Sequence, residues 1–281
     1  MRLNDLDKAM LDGAEGEANR EAMVALVQLG EAFDAEDMVD IGYAHVHAGM
    51  AMYLGDVELM EGLAERGARM SVPSSTNIAN ADMEQWEAMR APESLVRLQK
   101  RAETAHQSMG TGGCFTCTPY WAGHWPTWNT HMASIESGVT VFSNSVLGAR
   151  SNRDGFFAVY AGMTGRYPRF GLHLEENRQP THQVTVEASP SGTTDFTALG
   201  YAVGTHVTNA IPLVTGLERR PNLDELDALG VGMATSGGVA MFIVPGVTPP
   251  YGDDAGAAAA GLPSVPIHER DLRAVYDDFC S

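Results

Sequence analysis

MVDIGYAHV, Met38 to Val46, is a nearly unbroken apolar run with a histidine close to its end, and it predicts a buried strand. On its N-terminal side, Ala18, Ala22, Ala25, Leu26 and Leu29 recur at helical spacing, so Glu15 to Phe33 reads as an amphipathic helix. On its C-terminal side, Asp56 to Arg66 reads as a second helix, with Asp56 as N-cap and Gly67 as the stop. Met70 to Val72 then begins another strand, which Pro73 halts. The order strand, helix, strand predicts an α/β fold of parallel-rich sheets flanked by helices. In such sheets the residues that meet ligands sit at the C-terminal ends of strands, where this reading places His45 and the SSTN segment, Ser74 to Asn77.

The same alternation continues along the chain. Pro92 to Ala105 reads as helix, and Ser108 to Gly113 is a glycine-rich link that marks a subdomain boundary. Trp121 to Trp128 reads as an irregular loop with its rings packed inward. Arg153 to Gly165 reads as a helix whose start is favoured by the negative charge of Asp154. Strands are expected at Gln183 to Glu187, Ile211 to Val214 and Val239 to Val244, and helices at Asp195 to Val207 and Asn222 to Thr235. Thr248 to Gly261 is of low complexity and reads as a mobile loop.

Composition narrows the classes of function. The chain has 281 residues, 44% of them hydrophobic, which is ample for a large core. Net charge is −18 and no basic stripe appears, which argues against nucleic acid as a partner. No apolar run is long enough for a bilayer and the charged N-terminus carries no signal-peptide core, so a cytoplasmic location is expected. Three cysteines, Cys114, Cys117 and Cys280, do not make a disulfide framework.

The chemistry gathers between Cys114 and Arg178. Cys114 and Cys117 have the spacing of thiolates that share one metal or cluster, although two small buried residues fit the pattern too. A zinc site would need two more ligands, for which His124 and His131 are the nearby candidates. Arg150, Arg153 and Arg178 can each clamp a carboxylate or phosphate, and Asn144, Asn152 and Asn177 add uncharged amide donors. Glu136, Asp154, Glu175 and Glu176 are candidate bases or partners that orient the arginines. This inventory suggests elimination of water: a base removes an acidic C–H proton and a metal takes the hydroxyl of a small anionic substrate.

The segments LDGAEGEANREAM, AHV at Ala44 to Val46, VPSSTN, CTPY, ESG, NSVLGARSNR, GRYPRFGLHLEENR and SGGVAMFIVPGVTP resemble, in order from about Asp12 to Pro249, the aconitase X family. The resemblance implies an aconitase-like α/β fold over residues 1–281, a large-subunit-like catalytic domain. It also implies a hydro-lyase acting on mevalonate 5-phosphate or cis-3-hydroxy-L-proline, and an iron–sulfur cluster or mononuclear iron. On this reading the catalytic residues are His45, Glu136, Ser137 and Asp154. Substrate binding falls to Thr76, Asn77, Asn144, Ser145, Arg150, Asn152, Arg153, His173, Asn177 and Arg178. Cys117 matches the family's cysteine ligand, with Cys114 beside it.

The chain also departs from that pattern. The family's Gly-Ser-Ser swivelling domain is absent, which implies a small-subunit partner. The Gly-Cys-Pro-His segment that supplies further ligands does not occur before Ser281, so the expected catalytic domain is C-terminally incomplete. Ser134 stands where an aromatic residue is expected, Asp154 where a glutamate is, and Pro250 where a carboxylate is. The competing readings are a non-catalytic anion-binding subunit without metal and, last, a zinc hydrolase.

Overall fold

The computed structural model describes residues 1–48, 53–249 and 258–280. In chain order its helices are α1 (Asp5–Leu11), α2 (Glu17–Ala32), α3 (Leu54–Glu65), α4 (Glu93–Met109), α5 (Ser137–Ser145), α6 (Phe157–Thr164), α7 (Gly192–His206), α8 (Leu223–Gly237) and α9 (Glu269–Cys280). Its strands are β1 (Met38–Asp40), β2 (Tyr43–Val46), β3 (Ser74–Thr76), β4 (Met132–Ser134), β5 (Arg166–Pro168), β6 (His182–Val186), β7 (Pro212–Thr215) and β8 (Ser264–Ile267). The chain divides into two compact units, the first Met1–Glu136 with Arg153–His173 and the second Ser137–Asn152 with Leu174–Ser281. Ser108 to Gly113, the expected subdomain boundary, lies inside the first unit.

In the first unit, β2 lies between β3 and β4 with all pairing parallel. From β2 the chain crosses to one neighbour and then to the other, so the sheet's connections diverge beside β2, the position that opens a crevice at the strands' C-terminal ends. The core beneath it joins Ala22, Met23 and Leu26 of α2, Ala158 and Val159 of α6, and Ala44 and Val46 of β2. The second unit repeats the plan, with β6 between β7 and β8, again parallel. There α7 and α8 cross with almost no space between backbones: a Cβ on Gly204 would lie 2.7 Å from Met233 O, and one on Gly237 2.0 Å from Gly204 O. Only glycine permits that approach.

Several local expectations change. MVDIGYAHV is two strands, because the chain changes sheets at Ile41 and Gly42: β1 pairs antiparallel with β5, whereas β2 joins the parallel sheet. A Cβ at Gly42 would sit 2.5 Å from Thr130 Cγ2, so any larger residue there would have to displace the Thr130 side chain. Asp56 lies in the first turn of α3 rather than at its cap, and its carboxylate accepts from Tyr53 N at 2.8 Å. The strand expected at Met70 begins only after Pro73, whose carbonyl accepts from Ala44 N. Val239 to Val244 is buried but joins the sheet only through Ile243, whose N–H donates to Pro212 O and whose carbonyl accepts from Val214 N. Trp121, Trp125 and Trp128 are 44%, 55% and 57% exposed, so the loop turns its tryptophans outward, with Pro126 buried within it and Pro119 and Tyr120 buried just before it. Of Thr248 to Gly261, residues 250–257 lie outside the described ones.

The start of α8 carries a pH-sensitive clasp. Asn222 caps the helix by accepting from Glu225 N, and the buried Glu225 carboxylate accepts from Asn222 N, Gly192 N and Arg219. The Arg219 hydrogen bond, more than offsetting burial, holds Glu225 down at about 2. A depressed carboxylate stabilises the fold above its unfolded value, and that contribution fades as pH falls toward the folded value. Glu225→Gln should therefore lower the urea midpoint at pH 7, and the difference from wild type should shrink as pH drops from about 4.5 toward 2. A difference constant across that window would count against the clasp.

Candidate functional site

In the first unit the expected residues collect at the C-terminal ends of β2, β3 and β4. His45 and Ser75 face each other in register. Both are fully buried, and His45 Nδ1 lies 2.7 Å from Ser75 Oγ. The phenol of Tyr43, also buried, makes a short hydrogen bond with the same Ser75 Oγ. Burial pushes His45 down to about 4, with Asn77 opposing that shift and His124 adding to it. Burial likewise pushes the Tyr43 phenol well above its usual range. At neutral pH the ring is therefore uncharged and the phenol protonated.

β3 leads directly to the cysteine loop. Thr76 Oγ1 accepts from the N–H groups of Cys114 and Phe115, both at 3.1 Å, and Thr76 O accepts from Thr116 N and the Cys114 thiol. Gly112 bridges to Ser75, and a Cβ there would meet Ser74 O at 2.6 Å. Thr76 thus shapes the loop that carries Cys114, half-buried, and Cys117, exposed. Asn77 Oδ1 accepts from Ile78 N and turns the chain away from the strand.

Beyond β4, Glu136 follows the strand by two residues, and its charge opposes the downward push that burial exerts on the Arg153 guanidinium. Arg153 itself is bridged to Ser134. Asp154 is buried and anchors this corner: its carboxylate accepts from Ser134 N at 2.7 Å and from the Tyr167 hydroxyl. His173 is buried with its Nδ1 2.9 Å from Nδ1 of His131, and its ring is 4.9 Å from Tyr167.

The other expected residues belong to the second unit, where several are committed internally. Asn144, fully buried, donates to Ser151 O and Ala240 O and accepts from Ser151 N and Arg178 Nη1, at 2.8 to 3.1 Å. Arg178, also buried, donates further to the carbonyls of Asn144 and Ala149. Ser145 Oγ accepts from Phe242 N at 2.9 Å. These three side chains tie the turn after α5 to its surroundings. Arg150 forms an ion pair with the largely exposed Glu175. Ser137 opens α5, Asn152 is half-buried with its carbonyl accepting from Ser151 Oγ, and Asn177 is exposed. A cavity of about 350 Å³ in this unit, lined by Thr215, Arg219, Arg220 and Val244 among others, holds none of the expected residues.

Tyr43 is absent from the expected site, and Ser75 was expected only as part of the SSTN segment at a strand end, with no role of its own. Tyr43 is hidden in an apolar run and Ser75 in a strand, and only their alternation with His45 on neighbouring strands hints at one shared face.

The donor set for a metal is partial. Among the described residues no group of three or more His, Cys, Asp or Glu side chains could hold a metal ion, and His124 and His131 do not complete one with the two cysteines. A cluster or structural zinc needs three or four protein ligands. The described residues therefore do not by themselves fit such a centre. Among them, too, no helix is long and apolar enough to cross a membrane.

Comparison with known proteins places this geometry in a family. Residues 1–176 match the model described as aconitase X first domain, and residues 180–277 match that of the aconitase X second domain. A phosphomevalonate dehydratase large subunit from Methanothermobacter thermautotrophicus is 41% identical over 252 residues, covering 89% of this chain and 63% of that protein. A cis-3-hydroxy-L-proline dehydratase from Pseudomonas aeruginosa is 34% identical, over 93% of this chain and 46% of that one. The crystal structure of Thermococcus kodakaraensis aconitase X in its holo-form superposes with a TM-score of 0.89 at 31% identity, covering 99% of this chain and 70% of that chain. This chain thus spans less than two thirds of the length of either curated relative. The name "large subunit" implies a small-subunit partner for the proteins that bear it. Two matching domain models in sequence order, with a shared fold along nearly the whole chain, establish that the chain belongs to the aconitase X family.

Proposed function

We propose that this chain is the large-subunit-like part of a hydro-lyase that removes water from a small anionic hydroxy acid, with mevalonate 5-phosphate and cis-3-hydroxy-L-proline as the two candidate substrates. The observation that carries the reading is the match to both aconitase X domains together with dehydratase relatives at 41% and 34% identity. A small swivelling subunit is the proposed partner, and a cytoplasmic location belongs to the same reading. In the first unit, Glu136 is the proposed base that takes the C–H proton, with Arg153 beside it and His45 at the neighbouring strand end. Asp154 and Thr76 act indirectly, by holding β4 and the cysteine loop in shape. Cys114 and Cys117 are the thiolates this chain would contribute to an iron–sulfur or iron centre, which the described residues do not complete.

The test is to assay both hydroxy acids anaerobically, with the full chain alone and with its cognate small subunit, alongside iron and sulfide analysis. Water loss from either compound, with iron that Cys117→Ser removes, supports the reading. The incomplete donor set favours the second reading, an anion-binding subunit without its own metal, and binding without turnover or iron in both preparations would establish that instead.

Arg150 distinguishes substrate capture from folding. Its partner Glu175 is 58% exposed, so the pair contributes about 1 kcal/mol or less to stability. A guanidinium that meets a substrate anion contributes about 1.5–3 kcal/mol to binding, tenfold or more in affinity. Arg150→Ala is expected to raise KM by at least that factor with a nearly unchanged melting temperature. Equal losses in both would remove Arg150 from the substrate site.

A further inference from the structure

The Tyr43–Ser75–His45 chain decides which nitrogen of His45 carries its proton. Tyr43 is 3% exposed, and Ser75 and His45 are fully buried, so each hydroxyl hydrogen needs an acceptor inside the protein. Among the described residues, the Tyr43 hydroxyl meets only Ser75 Oγ, and Ser75 Oγ meets only Tyr43 and His45 Nδ1. If Nδ1 carried the proton and donated to Ser75, then either the serine or the tyrosine hydroxyl hydrogen would point at nothing. Leaving such a group unsatisfied costs about 1–3 kcal/mol. One arrangement serves both: Tyr43 donates to Ser75 and Ser75 donates to an unprotonated Nδ1. The ring hydrogen then sits on Nε2.

That nitrogen is buried and has no hydrogen-bond partner among the described residues. Asn77 lies beside the ring without an aligned hydrogen bond to Nε2. The atom lies at the C-terminal end of β2, where the sheet's connections diverge and ligands of parallel sheets bind.

We propose that Ser75 is a positioning residue that holds His45 as the neutral Nε2–H tautomer, and that Nε2 donates its hydrogen bond to an acceptor oxygen of the bound substrate, a carboxylate or hydroxyl oxygen. His45 is then a donor that orients the substrate and not the base that deprotonates it. The identity of the ligand rests on the dehydratase reading, whereas the tautomer does not.

The experiment is a long-range proton–nitrogen correlation spectrum of the full chain labelled with ¹⁵N-histidine, with the His45 signals identified by their loss in His45→Gln. The expected result is an unprotonated Nδ1 and a protonated Nε2 at neutral pH. Ser75→Ala should shift the Nδ1 resonance and mix the tautomers, and Ser75→Thr, which keeps the hydroxyl, should restore the wild-type pattern. A protonated Nδ1 in the wild type, or an Nδ1 resonance indifferent to Ser75→Ala, would overturn the relay. Mevalonate 5-phosphate and cis-3-hydroxy-L-proline are then added with calorimetry in parallel, and the Nε2 signal should move with whichever binds. Heat of binding without movement at His45 overturns the donor contact. No heat from either compound counts against the substrate reading, while the tautomer spectrum still decides the relay.

Discussion

Asn144→Ala is expected to destabilise the second unit by roughly 3–5 kcal/mol, whatever it does to substrate binding. The side chain is fully buried and makes four hydrogen bonds, to both backbone groups of Ser151, to Ala240 O and to the Arg178 guanidinium. Alanine would remove all four bonds at a position with no exposure, while Arg178 keeps its bonds to the carbonyls of Asn144 and Ala149. Arg178→Ala should have a similar effect, because it strips donors from the carbonyls of Asn144 and Ala149 as well as from Asn144 Oδ1. The four tryptophans, Trp86, Trp121, Trp125 and Trp128, all fall in the first unit, so their fluorescence is a poor reporter here. Amide hydrogen exchange across residues 137–152 and 174–280 is the appropriate measurement. Full protection in Asn144→Ala, with weakened binding alone, would return Asn144 to the role of a substrate ligand.

Arg166→Met is the second large effect. Arg166 donates from Nε and Nη2 to the two oxygens of Asp7 at 2.7 and 3.1 Å, and from Nη2 to Met38 O. Its side chain is 6% exposed and that of Asp7 is not exposed at all. Removing one member of a buried pair strands the other charge, which costs about 3–5 kcal/mol. Asp7 also accepts from Asn4 N at the start of α1, so the stranded carboxylate would disturb that cap as well. Urea unfolding followed by tryptophan fluorescence reads the first unit directly. The double variant Asp7→Asn/Arg166→Met should recover a substantial part of the loss, since no charge is then left buried. A double variant as unstable as the single one would assign the effect to packing around Arg166 instead.

Helices such as α2 and α8 were legible because their signals are local, whereas the capped α1 and the amphipathic α9 were not anticipated. The apolar stripe of α2 repeats along one segment, and Asn222 announces α8 three residues ahead of Glu225, which it caps. The three arginines expected to bind substrate were legible only as charges. Arg150, Arg153 and Arg178 share a short stretch of sequence, yet one faces an exposed glutamate, one is exposed with Glu136 as its charge partner and one is buried among carbonyls. Nothing in the spacing separates those environments, because a polar side chain's partner is set by what folds against it. The tryptophan loop makes the same point in reverse, since large apolar rings expected inside stand in solvent.

The sequence by itself determined the alternation of strands and helices, the family, and the inventory of thiols, amides and carboxylates, since each of these is written in neighbouring residues. Tertiary structure alone decided that MVDIGYAHV changes sheets at Gly42, that Asn144 and Arg178 brace the backbone, and that Tyr43 and Ser75 stand behind His45. Those outcomes depend on contacts between residues far apart in the chain, such as Gly42 with Thr130 or Asn144 with Ala240, where hydrogen-bond accounting in a buried space leaves one arrangement standing.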